Sequence, residues 1–292
     1  MWPREIPFAR PSTLDLIPLL DPRPSPHFLM GKLFNDILGL PAVASEHAQE
    51  VDNLIIYLHI LMIVLFVGWM AYFAYVLFRF HRSRNPKADY VGVKNHASSY
   101  IEGAVAVIEG VLLFGLAIPF WYKASDKFPP KDQSTQVQVV AQQFNWNFRY
   151  PGKDGKFGDQ DMRFVSSTNT FGIDPNDPKG KDDIELQNLL HVPLVKNPDG
   201  QFRPVILYIS SKDVVHSFKI IALRMTQDAI PGMRIPIWFR PTEKGRYQIN
   251  CAQLCGNGHS SMSNGFLIVE SQEDYDKWLA SKASAASQGS LE

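Results

Sequence analysis

The chain has 292 residues, with 29 Lys and Arg against 29 Asp and Glu and a sequence pI near 7.1. That balance argues against a nucleic-acid binder, because a phosphate partner calls for clustered positive charge. A hydrophobic content of 45% excludes a disordered chain, and two cysteines are too few for a disulfide scaffold.

Residues 1–52 read as a Pro-rich external arm. Pro3, Pro7, Pro11 and Pro18 break any long helix, and the compact apolar core of a usual signal peptide is missing. A short amphipathic helix is predicted near 28–38. No cysteine precedes Cys251, so no lipoprotein anchor is expected. Residues 54–78 form a run of 25 without Asp, Glu, Lys or Arg, long enough to cross a hydrocarbon core of about 30 Å. A second run of 20, residues 103–122, holds one charged group, Glu109, and ends in Pro119-Phe120-Trp121-Tyr122, a cluster suited to the membrane interface.

The connector 79–99 carries Arg79, Arg82, Arg84, Lys87 and Lys94, whereas 36–53 carries no Lys or Arg. This asymmetry predicts a cytoplasmic connector, with the N-terminus and everything after 122 outside. The domains expected are a two-helix hairpin over 53–122, a linker over 123–133 stopped by Pro129-Pro130, and a β-domain over 134–270. Strand-like runs fall at 135–141, 144–150, 203–210, 217–223, 236–240, 245–250 and 266–270. They suggest an antiparallel sandwich interrupted by a polar insertion of hairpins and loops over 151–200. The end, 271–292, reads as a short helix capped by Ser271 and Asp274, running through Trp278 into a disordered tail.

The chemistry lies late in the β-domain. Cys251 and Cys255 stand in Cys251-Ala-Gln-Leu-Cys255-Gly-Asn-Gly-His259-Ser-Ser-Met262, and His216 stands upstream in Asp213-Val-Val-His216-Ser. Thiolates and a thioether select a soft, redox-active metal such as copper, and imidazole completes the shell. Two thiolates can bridge two copper ions that share one electron. A disulfide and a structural Cys2His2 zinc site are the other readings of the same residues.

With these residues in place the chain resembles subunit II of the haem-copper oxidases of the cytochrome c oxidase type. Cys251, Cys255, His259 and Met262 match the pattern C-x-E-x-C-x3-H-x2-M, and His216 matches D-V-x-H-S. Asp228-Ala-Ile-Pro-Gly232 and Gln143-Phe-Asn-Trp146 match two further segments of that family. The resemblance implies two transmembrane α-helices plus an external all-β cupredoxin-like Greek-key sandwich. It implies two copper ions in a copper A centre, bridged by Cys251 and Cys255. His216 and Met262 complete one ion, and His259 and the backbone carbonyl of Gln253 complete the other.

The implied role is an electron-accepting subunit of a proton-pumping terminal oxidase in a bacterial inner membrane, with the copper domain on the periplasmic side. The implied partners are subunit I, which holds the haem, subunit III, membrane lipid and a cytochrome c or another haem-protein donor. Phe144 and Trp146 are candidates for the point where electrons enter, and Glu102 for the mouth of a proton-uptake path. Glu109 matches no acid of the family. Gln253 replaces the family's Glu and Phe144 its first Trp, which weakens the expectation of bound magnesium and of the usual donor. The β-domain carries 15 Lys and Arg against 13 Asp and Glu, with no net acidity to attract a basic cytochrome c. A copper A subunit of a nitric oxide reductase and a membrane-tethered copper carrier are the alternatives. A copper-free quinol oxidase subunit is disfavoured by the intact ligand set.

Overall fold

Ser45 starts the first helix, α1 (Glu46–Arg79), because its Oγ accepts the Ala48 N–H at 3.1 Å while Glu46 and Arg79 complement the helix dipole at the two ends. The computed structural model describes residues 36–87, 90–92 and 94–289. The amphipathic helix expected near 28–38 therefore lies outside the described residues except for 36–38, which are helical. The arm expected over 1–52 is shorter than its sequence suggests, since α1 already begins at Glu46. A run of Glu, His, Ala and Gln favours helix before the apolar span starts.

The second helix, α2, spans Ala97–Ser125. Its stretch Val111–Ala117 has the wider π register. The widening precedes Pro119, whose missing N–H and ring would disrupt an ordinary turn at Gly115. Both helices are long and apolar enough to cross a membrane, and their apolar windows are almost wholly exposed.

Ten strands follow in two five-stranded sheets. They are β1 (Thr135–Gln142), β2 (Asn145–Tyr150), β3 (Ile184–Gln187), β4 (Leu189–Leu194) and β5 (Val205–Ser211), then β6 (His216–Ile220), β7 (Met225–Ala229), β8 (Ile235–Phe239), β9 (Gly245–Cys251) and β10 (Gly265–Ser271). One sheet runs β3-β2-β1-β5-β8 and the other β4-β10-β9-β6-β7. Alternating residues fill the space between them: Val137, Val139 and Ala141 from β1, Trp146 and Phe148 from β2, Phe218 and Ile220 from β6, and Leu267 and Val269 from β10.

The sandwich is mixed rather than antiparallel. β1 pairs with β5 and β4 with β10 in parallel, which requires the chain to leave one sheet and return through the other. Asn188 makes one such crossing. Its left-handed backbone (φ 60°) bends the chain from β3 in one sheet to β4 in the other, and its side chain accepts the Trp146 N–H at 2.9 Å.

The polar insertion thus hides two strands. β4 contains Pro193, which ordinarily weakens a strand reading, but β4 is an edge where the lost N–H breaks no ladder. β7 is an edge as well, and its polar residues conceal it. The final helix, α3 (Gln272–Gly289), is capped by Ser271 and carries Trp278 stacked on His191 at 4.2 Å. It continues past Trp278 instead of fraying, because Ala-rich sequence without an interior Gly or Pro sustains helix; 290–292 lie outside the described residues.

One fully buried ion pair ties the insertion to the sheet. Arg149 Nε donates to Asp183 Oδ2 at 2.9 Å, Nη1 to Gln138 Oε1 at 3.1 Å and Nη2 to the Gly158 carbonyl at 2.9 Å. Gly158 and Gly180 pass so closely that a Cβ on Gly158 would lie 2.3 Å from Gly180 Cα. Removing one partner of a buried pair strands the other charge and costs about 3–5 kcal/mol. Arg149→Met should therefore lower the unfolding free energy of the β-domain by about that amount in chemical denaturation of the full chain; a loss under about 1 kcal/mol would contradict the account.

Candidate metal centre

Two neighbouring strands bring the centre together. His216 opens β6 and Cys251 closes β9, which pair antiparallel with Phe218 opposite Cys251. The loop after Cys251 then turns Cys255 inward, and a 3-10 turn over His259–Asn264 sets His259 and Met262 one turn apart on the same side. The ligand atoms of His216, Cys251 and Cys255 all lie within 4.8 Å of one another. The two sulfurs are 3.9 Å apart, and His216 Nδ1 is 4.0 Å from Cys251 Sγ. Cys255 Sγ has His259 Nδ1 at 3.4 Å and Met262 Sδ at 3.5 Å, while Gln253 turns its carbonyl oxygen to within 3.0 Å of Cys251 Sγ.

Every expected ligand therefore converges on one spot. Both cysteines are free, and their sulfurs stand about twice as far apart as in a disulfide. The donor set is three sulfurs, two imidazoles and a carbonyl, with no carboxylate among the ligand atoms. It fits copper, and it does not fit a hard cation such as magnesium. The Gln253 side chain is exposed to solvent.

A second layer holds the ligands still. Asp213 accepts the Gln143 N–H and the Val214 N–H, each at 2.7 Å, and meets His216 Nε2 at 2.9 Å. Burial raises the Asp213 pKa, but these bonds outweigh it and keep the carboxyl below the usual range. A carboxylate on Nε2 turns Nδ1 toward the sulfurs. Asp213 belongs to the motif that carries His216, and its spacing three residues upstream was the signal for this role. Gln143 Nε2 donates to the Cys255 carbonyl at 2.7 Å, and the buried Trp146 Nε1 donates to the Met262 carbonyl at 3.0 Å.

The titrations of the two thiols are pulled apart. Burial raises that of Cys251, but the contact with His216 and the Ser217 and Gln253 backbone bring it down to about 6. Burial and then the Cys251 charge push Cys255 up to about 11. Burial lowers the pKa of His216, while Cys251 and Asp213 more than restore it. Without metal the Cys255 thiol keeps its proton, so a cation that takes both sulfurs must displace it.

The remaining candidates divide. Trp146 is fully buried, packed edge-on against His216 at 6.2 Å and Phe218 at 5.1 Å, which removes it from contact with any soluble donor. Phe144 is half-buried and lies flat on the ligand loop, so close that a Cβ on Gly258 would meet its ring at 2.4 Å. Glu102 is exposed near the start of α2, roughly 35 Å along the helix from Ser125 and away from the metal centre. Glu109 borders a small groove with Leu54, Leu58, Leu112, Leu113 and Ala117.

The family described as cytochrome c oxidase subunit II, periplasmic domain, matches residues 135–271. The alternative cytochrome c oxidase subunit 2 of Bradyrhizobium diazoefficiens is 35% identical over 218 residues, covering 73% of each chain. A probable cytochrome c oxidase subunit 2 of Rickettsia felis is 30% identical over 246 residues, covering 84% of this chain and 70% of its own. Among solved structures, the periplasmic domain of cytochrome oxidase subunit II from Bradyrhizobium japonicum overlaps 55% of this chain and 99% of its own, at 23% identity and a TM-score of 0.38. On these matches the chain belongs to the subunit 2 family of the cytochrome c oxidases.

Proposed function

We propose that this chain is the electron-accepting subunit of a proton-pumping aerobic terminal oxidase. It takes electrons from a periplasmic cytochrome c or similar haem protein and delivers them to haem in subunit I, where oxygen is reduced to water. The observation that carries this reading is the meeting of Cys251, Cys255, His216, His259 and Met262 at one spot beneath an exposed loop. Two copper ions held there supply a one-electron couple.

The chain's own residues do the rest. Cys251, Cys255, His216, His259, Met262 and the Gln253 carbonyl would hold the ions. Asp213 orients His216, and Trp146 and Gln143 hold the loop's backbone so that the ligands keep their places when the charge changes. Phe144, half-buried on the ligand loop, offers the donor an apolar contact close to the sulfurs. Lys and Arg in the connector support an orientation with that connector in the cytoplasm and the β-domain in the periplasm. Glu102, at the cytoplasmic end of α2, gathers protons for an uptake path into subunit I.

Metal loading must expel the proton on Cys255, whose thiol titrates at about 11. Copper affinity of the metal-free chain should therefore rise steadily between about pH 6 and 8, with proton release visible in a weakly buffered titration. An affinity flat across that interval would contradict a protonated Cys255 as the starting state.

The function itself is tested in the assembled oxidase with a reduced haem-protein donor. Cys255→Ser should abolish donor-driven oxygen uptake while the haem of the complex is retained. Phe144→Ala should slow donor oxidation with copper content unchanged, and Glu102→Gln should slow turnover with both metal and haem intact. Full uptake by the Cys255→Ser complex would overturn the reading. Full rates in either of the other two would remove that residue's role alone.

A further inference from the structure

The segment just before the membrane is not a loose arm from residue 41 onward. It is built into the base of the β-domain. Ala44 and Ser45 are fully buried. The Ala44 N–H donates to the Ala222 carbonyl at 2.9 Å, the Thr242 N–H to the Ala44 carbonyl at 3.0 Å, and the Glu46 N–H to the Arg240 carbonyl at 3.1 Å. Ser45 Oγ donates to the Leu223 carbonyl at 3.1 Å.

Arg224 sits at the centre of this joint. Its Nε and Nη2 donate to the two carboxylate oxygens of Asp52 on α1 at 2.8 and 2.9 Å. Nη2 also donates to the Pro41 carbonyl at 2.7 Å, and Nη1 to those of Ile221 at 2.7 Å and Ala42 at 3.4 Å. Asp52 is fully buried and the Arg224 side chain is 9% exposed. The fork geometry of a guanidinium suits such two-pronged recognition, and a buried pair of this kind fixes orientation more than it adds stability.

The backbone of Arg224 gives a second sign. It is left-handed (φ 51°, ψ 35°), a conformation that favours glycine and disfavours a long side chain. An arginine held there against its own preference points to a use for the side chain. Its position in the fold suggests that use. Arg224 lies in the turn between β6, which begins with the ligand His216, and β7, whereas Asp52 lies two residues before the apolar span.

We propose that Arg224 is a positioning residue for electron delivery. It locks the metal-bearing β6–β7 unit onto the first membrane helix, so that the gap between the metal centre and its acceptor in the membrane stays constant. Without it the β-domain would be held by the hydrogen bonds at Ala44–Glu46 and by the connector from α2 to β1, residues 126–134, and a domain held at fewer points samples more distances. The inference rests on the electron-transfer reading above, but its first readout does not.

That readout is the distance between two spin labels in the full chain in lipid nanodiscs. The labels replace exposed Lys244 in the β-domain and Leu77 on α1 as unnatural amino acids, which leaves Cys251 and Cys255 untouched. The parent chain should give one narrow distance distribution. Arg224→Gly should broaden it, since glycine keeps the left-handed backbone and removes only the clamp. Asp52→Asn, which leaves the β-domain unaltered, should broaden it too, and Arg224→Lys should restore part of the narrowness.

The second readout is in the assembled oxidase. Reduction of the metal centre by a soluble donor should be unchanged in Arg224→Gly, while transfer onward to the membrane acceptor should slow on the order of tenfold, within what small misplacement costs a positioned reaction. A distribution that stays narrow in both Arg224→Gly and Asp52→Asn overturns the clamp. A broadened distribution with unchanged onward transfer overturns its part in electron delivery.

Discussion

Two sulfurs 3.9 Å apart in a half-buried site set the terms for everything around them. Each thiolate disfavours the other, because like charges at that separation repel strongly when water is partly excluded. The pair is stable either with one proton retained or with cations shared between both sulfurs. Every neighbouring group serves the second state. His216 and His259 approach from opposite cysteines, Met262 closes in against Cys255, and the Gln253 carbonyl supplies a neutral oxygen near Cys251. Soft, polarisable donors with one hard oxygen suit copper in both of its common oxidation states.

Such a set is useful only if it does not rearrange, and the fold supplies the stiffness. His216 and Cys251 stand on paired strands, so their spacing is fixed by the sheet ladder rather than by side-chain choice. The ligand loop is pinned at two carbonyls, by Gln143 on one side and Trp146 on the other. Trp146 is pinned in turn by Asn188, the residue that carries the chain between the sheets. Gly256 and Gly258 let Phe144 lie flat on that loop, where any larger residue would lift it away. The same logic extends downward. The joint around Arg224 and Asp52, with Lys123 held by Glu46 and Glu50, turns a domain on a tether into a domain on a mount.

Much of this was legible in the sequence because the signals were short-range or compositional. A 25-residue run without Asp, Glu, Lys or Arg is long and apolar enough to cross a membrane, and five metal-binding side chains at fixed offsets point to a chemistry before any fold is known. What escaped was set by long-range pairing. β4 reads as a loop because of Pro193, and only its place at a sheet edge makes proline harmless. Arg224 and Asp52 lie 172 positions apart, and nothing local to either marks the pair. Trp146 and Phe144 are two residues apart, and strand alternation would put both on one face; Phe144 instead lies in the turn between β1 and β2, one residue before β2 begins, and so stays half-exposed while Trp146 is buried.

In the proposed centre both thiolates would be shared by two copper ions in a frame that treats the ions nearly alike. Electron spin resonance of the copper-loaded full chain, poised with one electron removed, tests it most directly. The account predicts a hyperfine pattern from one unpaired electron spread evenly over two copper nuclei, lost in Cys251→Ser because a hydroxyl does not bridge as a thiolate does. A pattern from a single copper nucleus, or a silent site holding zinc, would contradict it.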